Sequence, residues 1–302
     1  MNLCMFAFFN DLVWREGAAE AVRFARGCGF DTVEILQPMQ PSARPVFKTF
    51  AHVEALRREL DAAGMRCACF SVSSNILANN LGASGDRSAV DELKQCADIA
   101  KALGSPYLHH TLTLGYVPTS AEMDSLDAIF PELTARASEV AEYANSIGLT
   151  VLYEPQGYYV NGLEGFTRFY ECMKQRGHRI GVCGDMGNSL YVNCAPDTFF
   201  ARYKEEICHV HLKDYHIEDE VLNRQNAKES RFWDMIRDGR MITETRLGEG
   251  LVDMDACMAH LRDVGYDGAY ATETCYWNNL TVSLRENLEQ DRAYMLTKYP
   301  EN

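Results

Sequence analysis

The sequence is poor in basic residues and has no long hydrophobic run. It carries 29 Lys and Arg against 43 Asp and Glu, which gives a formal net charge of −14 over 302 residues. No block of Lys and Arg interrupts this acidity, so nucleic acids and anionic membrane surfaces are disfavoured as partners. The apolar run from Met5 to Phe9 is too short to cross a bilayer and lacks the basic segment of a signal peptide. We therefore expect no nucleic-acid partner, no membrane span and a cytoplasmic location.

The cysteines lack the spacing of a zinc or redox motif. There are 11 of them, and none forms a C-x-x-C pair; Cys67 and Cys69 come nearest. An odd number of cysteines, scattered through a long chain, favours reduced thiols over a disulfide framework. We expect most of them to be small hydrophobic residues of the core.

The sequence alternates short β-branched or aromatic runs with amphipathic helical stretches. The repeat is roughly 30 to 40 residues long, which is the size of a βα unit. Eight strands are predicted, at Leu3–Phe9, Thr32–Leu36, Cys67–Val72, Tyr107–Thr111, Thr150–Glu154, Ile180–Asp185, Cys208–Lys213 and Ala269–Thr274. The clearest helical patterns between them are Glu16–Cys28, Phe50–Ala63, Ser88–Leu103, Leu126–Ile147 and Met254–Val264.

Eight strands, each followed by a helix, predict a parallel (β/α)8 TIM barrel. A doubly wound open sheet is the alternative, but no G-x-G-x-x-G follows the first strand. No long Pro-, Gly- or Ser-rich linker divides the chain, so residues 1–302 are expected to form a single domain. The polar stretch 216–247, after the seventh strand, is predicted to be an insertion that acts as a lid or faces a partner. It contains the aromatic residues Phe232 and Trp233 together with Met235.

Ionisable residues stand at the ends of the predicted strands, where a parallel barrel places its functional side chains. They are Glu34, His109, His110, Glu154, Asp185, His211, Lys213 and Glu273. Each follows a hydrophobic run that is expected to be buried. A charge in such a place is costly unless it is paired or binds a cation.

Four of these residues predict a metal site. Glu154, Asp185, His211 and Glu273 come from four successive strands and can converge at the mouth of a barrel. Three carboxylates and one imidazole form an oxygen-rich ligand set, which favours one divalent ion, Mn²⁺ first and Mg²⁺ or Co²⁺ as alternatives. His209 lies two residues before His211 on the same face, and we expect it in the core or supporting the ligands.

Several motifs together resemble the xylose-isomerase-like TIM barrel superfamily. The superfamily includes ketose 3-epimerases, hydroxypyruvate isomerase, inosose dehydratase and apurinic endonucleases of the endonuclease IV type. The resemblance extends from Glu34 to the last helix and is specific for the superfamily rather than for one member. It is carried by Glu154–Pro155, G-D-x-x-N at Gly184–Asn188, H-V-H-L-K-D at His209–Asp214, R-L-G-E-G at Arg246–Gly250, G-Y-D-G at Gly265–Gly268, and Glu273.

The resemblance implies that the four candidate residues are metal ligands and that Glu154 and Glu273 also form an acid/base pair. Such a pair moves a proton next to a metal-chelated carbonyl, through an enediolate. Lys213 is expected to donate to the developing oxyanion, with a salt bridge as its alternative role. Gln156 and Asn188 stand where ketose 3-epimerases usually carry acidic or histidine residues. We expect Gln156, Asn188, Glu34, His109 and Trp277 to contact the substrate.

The run His109–His110 departs from the epimerase pattern. Neighbouring strand residues point to opposite faces, so only one histidine enters the barrel, and His110 is predicted to be that residue and to act as a second acid or base. Such a histidine resembles lyases of the superfamily that act on oxidised sugars. These include the large subunits of C-glycoside deglycosidases, which act on 3-oxo-glycosides and pair with a small β-rich subunit.

The sequence therefore predicts a metal-dependent carbohydrate isomerase or epimerase. A lyase of the deglycosidase or inosose-dehydratase type is the first alternative, and a non-catalytic sugar- or metal-binding protein is the second. A carbohydrate or glycoside is the expected ligand. A homo-oligomer and a small β-rich partner subunit are the expected assemblies.

Overall fold

Within the residues that the structure describes, the strands form one closed barrel and one small sheet. The computed structural model describes residues 1–6, 8–38, 50–77, 87–113, 125–219, 233–274 and 283–300. Its strands are β1 (Asn2–Met5), β2 (Thr32–Pro38), β3 (Arg66–Ser73), β4 (Tyr107–His110), β5 (Thr150–Tyr153), β6 (Ile180–Asp185), β7 (Ile207–Leu212), β8 (Asp214–Glu218), β9 (Asp234–Met235), β10 (Met241–Thr245) and β11 (Ala269–Thr272). Strands β1 to β7 and β11 are parallel to their neighbours and close in the order β1-β11-β7-β6-β5-β4-β3-β2.

Helices connect these strands around the outside of the barrel. In chain order they are α1 (Phe9–Glu16), α2 (Ala18–Gly27), α3 (Phe50–Ala62), α4 (Arg87–Leu103), α5 (Leu126–Ser146), α6 (Gly157–Val160), α7 (Gly162–Gln175), α8 (Pro196–Tyr203), α9 (Met254–Asp263) and α10 (Leu284–Lys298). The predicted (β/α)8 barrel is therefore confirmed. Among the residues described above, no helix is both long enough and apolar enough to cross a bilayer.

Side chains alternate between the two faces of the barrel wall. On β7, Val210 and Leu212 pack outward in the main hydrophobic core with the helices, whereas His209 and His211 point inward. The barrel interior is therefore polar where these histidines lie. The predicted positions of the eight barrel strands agree with the structure to within a few residues, except at the end of the first strand.

The first strand is shorter than predicted because the chain turns into a helix. Strand β1 ends at Met5, and α1 begins at Phe9. Phe8 adopts a left-handed conformation with a φ of 63° at the start of that helix. Hydrophobicity alone does not separate a buried strand from the buried start of a helix.

The segment after β7 begins with a small antiparallel sheet of order β8-β10-β9. Its strands start at Asp214, two residues before the predicted insertion. Ile236 and Ile242 pack with Tyr191 and Tyr215 in a separate small hydrophobic cluster. The side chain of Met235 is 44% exposed. Phe232 lies outside the described residues, and a lid or partner-facing role for 216–247 stays a prediction.

Asp214 ties the end of this segment back to the barrel. Its buried carboxylate accepts hydrogen bonds from the backbone N–H groups of Tyr215, Gly248, Gly250 and Val252, at 2.9 to 3.0 Å. A Cβ atom on Gly250 would lie 2.1 Å from Asp214 Oδ1, so a larger residue does not fit there. The R-L-G-E-G motif is thus explained by the close approach of its backbone to one carboxylate.

A buried carboxyl group on the C-terminal helix is expected to make the unfolding free energy depend on pH. Asp291 on α10 accepts a hydrogen bond from the hydroxyl of Thr274, just beyond β11. Burial raises the pKa of Asp291 to about 6, from an ordinary value of 3.8. Because the folded state prefers the protonated carboxyl, its contribution is complete below about pH 4 and is lost as the pH rises to about 6.

We expect Asp291→Asn to become more stable relative to the wild-type protein as the pH rises from 4 to 7. The pKa difference of about two units corresponds to a change of up to about 3 kcal/mol in the unfolding free energy. Urea denaturation of both proteins across this range measures it. A stability difference that does not change with pH would contradict the assignment.

Candidate active site

Four side chains from neighbouring strands meet at the carboxyl end of the barrel. Glu154 follows β5, Asp185 ends β6, His211 lies on β7 and Glu273 follows β11. Each offers one potential ligand atom, and all of these atoms lie within 4.8 Å of one another. His211 Nδ1 lies 2.8 Å from Glu273 Oε2, 3.2 Å from Glu154 Oε1 and 3.7 Å from Asp185 Oδ2. The residues predicted to converge are thus brought together.

The backbone after β6 holds Asp185 in place. Asp185 Oδ1 accepts hydrogen bonds from the backbone N–H groups of Gly187, at 2.7 Å, and Asn188, at 2.6 Å. A Cβ atom on Gly187 would lie 2.2 Å from the ring of Tyr215. The G-D-x-x-N motif therefore forms a tight turn that leaves Asp185 Oδ2 directed at the site.

Lys213 and Asn188 connect the carboxylates. Lys213 Nζ lies 3.0 Å from Glu273 Oε1 and 3.2 Å from Asp185 Oδ2, and it donates to Asn188 Oδ1 at 3.1 Å. Asn188 Nδ2 donates to Glu154 Oε1 at 2.8 Å. Asn188 is fully buried with both ends of its amide engaged. Its contacts position Glu154 and Lys213, and its predicted contact with the substrate stays a prediction.

The donor set suits a divalent cation. Asp185 Oδ2 and Glu273 Oε2 accept no well-directed hydrogen bond from the described residues. Their short contacts with Lys213 and His211 are ion-pair contacts. Buried carboxylate oxygens with free lone pairs, next to an imidazole nitrogen, match the ligands of Mn²⁺ or Mg²⁺. We conclude that these four residues fit one divalent ion.

His109, rather than His110, faces the barrel interior, which corrects the prediction. His109 Nδ1 lies 2.9 Å from Ser71 Oγ, and its Nε2 lies 3.1 Å from Glu154 Oε2. The ring of His110 instead meets Tyr153 edge-on outside the barrel, with centroids 5.3 Å apart. Burial lowers the pKa of His110 to about 4, so it is neutral at pH 7. A shift of one residue in the predicted strand phase exchanges the two faces.

Glu34 lies beneath the site, and its predicted contact with a substrate stays a prediction. It is 0% exposed, on the opposite side of the His211 ring from the other three carboxylates. His209 Nε2 lies 2.6 Å from Glu34 Oε2, and the Ser71 hydroxyl donates to Glu34 Oε1. His209 is thus a buried supporting residue, as expected. Ser71 was not predicted, although it lies two residues after Cys69 on the inward face of β3.

The contacts described above do not test two of the residues predicted to bind the substrate. Gln156 is half-buried just before α6, at the rim beyond Glu154. Trp277 lies outside the described residues. Both remain predictions.

Burial and charge act in opposite directions on the ionisable groups of the site. Burial alone raises the pKa of Glu154, but the imidazoles of His211 and His109 hold it well below its usual range. Burial also raises the pKa of Asp185, and Lys213 opposes this only in part. Burial by itself lowers the pKa of His211, yet the surrounding carboxylates raise it well above its usual value. The site is therefore strongly attractive to positive charge.

Comparison with known proteins identifies the fold family. The family model described as xylose isomerase-like TIM barrel matches residues 22–297. The rhizopine catabolism protein MocC of Rhizobium meliloti is 29% identical over 142 residues, which are 47% of this chain and 40% of MocC. This chain therefore matches less than half of the length of that curated relative.

Solved structures show the same fold at low sequence identity. The IOLI protein with a bound zinc atom has a TM-score of 0.70 at 13% identity, with 98% of this chain and 97% of that chain covered. L-ribulose 3-epimerase has a TM-score of 0.69 at 16% identity, with 97% and 92% covered. A structure described as the probable 3-DHS dehydratase AsbF from Bacillus anthracis has a TM-score of 0.68 at 14% identity, with 100% of both chains covered.

Lys213 is predicted to be required for the stability of the metal-free fold. Removing one partner of a buried ion pair costs about 3–5 kcal/mol because the other charges lose their compensation. We expect Lys213→Met to lower the unfolding free energy by that amount, as measured by urea denaturation with EDTA. The control is Lys174→Met, whose exposed pair with Glu206 spans 3.3 Å and should cost less than about 1 kcal/mol. Equal losses in the two variants would contradict the role of Lys213.

Proposed function

Because the chain belongs to the xylose isomerase-like TIM barrel family, we propose that it is a divalent-metal-dependent carbohydrate isomerase or epimerase. The observation that carries this proposal is the convergence of Glu154, Asp185, His211 and Glu273, of which the first three are buried. In the barrel, β6 and β7 separate the strands that bear Glu154 and Glu273. The two glutamates therefore stand on opposite sides of the site.

The residues of the site would hold one ion through carboxylate oxygens and His211 Nδ1. This oxygen-rich set supports Mn²⁺ as the preferred ion, with Mg²⁺ or Co²⁺ as substitutes. The IOLI protein, which has the same fold, is described with a bound zinc atom, and this supports a metal site in this chain. A bound divalent ion supplies a Lewis acid that lowers the pKa of a C–H bond next to a carbonyl.

The glutamates provide the proton transfers. Glu154 is ionised, since its pKa lies well below the usual range, and Asn188 fixes its orientation. It is therefore placed to remove a proton from one face of the substrate carbon, which gives an enediolate. Glu273 is placed to return a proton on the opposite face, and its side chain is 24% exposed, the most accessible of the four. Lys213, 3.0 Å from Glu273 Oε1, is placed to donate to a developing oxyanion.

A lyase acting on an oxidised sugar is the second candidate. His109 Nε2, 3.1 Å from Glu154 Oε2, adds a second potential acid or base to the same side of the site. The likeness to a dehydratase structure also supports this reading. Such an enzyme would remove the proton next to a 3-oxo group and expel an aglycone or water, as in the C-glycoside deglycosidase or inosose dehydratase type.

Location and assembly follow as further parts of the proposal. The ten cysteines within the described residues are free thiols, which supports a reducing compartment such as the cytoplasm. A homo-oligomer and a small β-rich subunit stay predicted partners. Leu251, 60% exposed, and Met235 lie in the chain segment after β7 and are available to such a partner.

Proton exchange tests the proposed function. The Mn²⁺-loaded protein is incubated in D₂O with a panel of free ketoses and 3-oxo-glycosides, and NMR follows deuterium incorporation and product release. An isomeric sugar that carries deuterium supports the isomerase or epimerase. Release of aglycone or water with an enone product supports the lyase. Tight metal binding without exchange on any substrate favours the non-catalytic binding protein.

Glu154→Gln and Glu273→Gln are each expected to lower kcat by about 10²–10⁴-fold, because each removes one proton-transfer group. The measurement is the rate of exchange on the substrate identified above. Glu171→Gln, on the outer surface in a pair with Arg202, is the matched control and should retain full activity. Full turnover in both site variants would eliminate the acid/base assignment.

His109 and His110 give a further test of the site. We expect His109→Ala to lower kcat by about 10²-fold in a lyase, where it takes part in proton transfer, and by less in an isomerase. His110→Ala should lose stability, because it leaves a cavity beside Tyr153, and should retain most of its turnover at low temperature. If His110→Ala abolished turnover and His109→Ala did not, the inward assignment of His109 would be wrong.

A further inference from the structure

Five buried side chains form a closed ring between the candidate metal site and the deeper barrel interior. Ser71 Oγ donates to Glu34 Oε1, and His109 Nδ1 lies 2.9 Å from Ser71 Oγ. His109 Nε2 then lies 3.1 Å from Glu154 Oε2. His211 closes the ring, with Nδ1 3.2 Å from Glu154 Oε1 and Nε2 3.1 Å from Glu34 Oε1. We call these residues the five-residue ring.

The hydrogens of this ring can be assigned by counting donors. A serine hydroxyl has one hydrogen, and a carboxylate can only accept. The hydrogen of Ser71 therefore lies toward Glu34, so the oxygen of Ser71 accepts from His109 Nδ1–H. This leaves His109 Nε2 facing Glu154. The hydroxyl thus selects the nitrogen of His109 that reaches the site.

The same count applies to His211. Its Nε2 lies 3.1 and 3.2 Å from the two oxygens of Glu34, so Nε2 carries a hydrogen. Its Nδ1 lies 2.8 Å from Glu273 Oε2 and 3.2 Å from Glu154 Oε1, so the metal-free imidazole donates through both nitrogens. When a cation binds, Nδ1 gives up its hydrogen and offers the lone pair, while the hydrogen on Nε2 stays directed at Glu34. The ring of Phe6 stacks on the imidazole at a centroid distance of 5.0 Å and limits its rotation. Contacts on one edge and one face therefore define the orientation of His211.

We propose that Glu34 is a positioning residue for both histidines of the site. It orients His211 directly, so that Nδ1 points at Glu154, Asp185 and Glu273. It orients His109 through Ser71, so that Nε2 points at Glu154. This inference rests on the proposed metal-dependent function. Because Glu34 is fully buried beneath His211, it acts without touching the substrate.

A glutamine cannot replace Glu34 in this role. The carboxylate accepts from Ser71, His209 and His211 through its two oxygens. The amide of glutamine has one oxygen and one NH₂ group, so at least one of these donors would face another donor. The rings would then turn, or a hydrogen bond would be lost.

Metal affinity provides a readout that is independent of activity. We expect Glu34→Gln to weaken Mn²⁺ binding by about 10–100-fold, the usual effect of losing a group that orients a metal-bound histidine. Isothermal titration calorimetry on the full-length metal-free protein measures this. Ser71→Ala removes the hydroxyl between Glu34 and His109 but leaves the contact of Glu34 with His211. Its Mn²⁺ affinity should therefore stay within about 3-fold of wild type, while kcat falls and KM changes little. Cys4→Ala, at another buried inward position, controls for loss of packing and should match the wild-type protein.

A Glu34→Gln variant that melts within a few degrees of Cys4→Ala and binds Mn²⁺ like the wild-type protein would overturn the proposal. If Glu34→Gln does not fold, ¹⁵N NMR of the histidines in the wild-type protein decides instead. The proposal requires hydrogen on Nδ1 of His109 without metal, and on Nε2 of His211 in the Zn²⁺-loaded protein. The opposite tautomers would overturn it. Wild-type protein that binds no divalent ion would instead contradict the proposed function, while the His109 tautomer still tests the role of Ser71.

Discussion

The concentration of negative charge inside one end of the barrel is the constraint on which the site depends. Three buried carboxylates and the partly exposed Glu273 lie within reach of one imidazole, and desolvated charges of one sign are costly unless cations or hydrogen-bond donors compensate them. The compensation is visible in Lys213, in the backbone N–H groups that hold Asp185, and in the raised pKa of His211. These carboxylates are Glu34, Glu154, Asp185 and Glu273.

The carboxylates near the barrel mouth and the carboxylate deeper in the barrel have different roles. The upper group, around His211 Nδ1, directs lone pairs toward the barrel mouth and can hold a cation. The lower carboxylate of Glu34 is saturated with donors and faces His211 Nε2. A single imidazole therefore links the buried polar interior of the barrel with the candidate metal site. This division suits enzymes that need one precisely held metal ligand set and accessible acid/base groups.

Much of this could be predicted from the sequence because a barrel repeats two simple rules. Strand runs followed by helical stretches give the βα order, and charged residues that end hydrophobic strands mark the barrel mouth. The four candidate ligands follow from those rules alone. Gly148 and Gly265, two residues after the ends of α5 and α9, have φ values of 95° and 66°, as helix-terminating glycines require.

The failures have equally simple causes. The sequence Y-L-H-H does not show which histidine of β4 faces inward, because the two are equally hydrophobic. The prediction therefore chose His110, whereas His109 faces inward. The depth of a side chain along the barrel axis is also invisible in a sequence, so the contact of Glu34 with His211 Nε2 could not be predicted. The sheet that begins at Asp214 is set by a carboxylate contacting the backbone of a loop more than 30 residues away, a long-range contact that no local pattern encodes.

The most direct test of the central claim is an anomalous difference map from crystals of the protein soaked in MnCl₂. The account predicts one strong manganese peak, coordinated by His211 Nδ1 and by oxygens of Glu154, Asp185 and Glu273, with Glu34 remaining on the Nε2 side of the imidazole. A map with no manganese among these four residues, or with manganese bound by Glu34 instead, would contradict it.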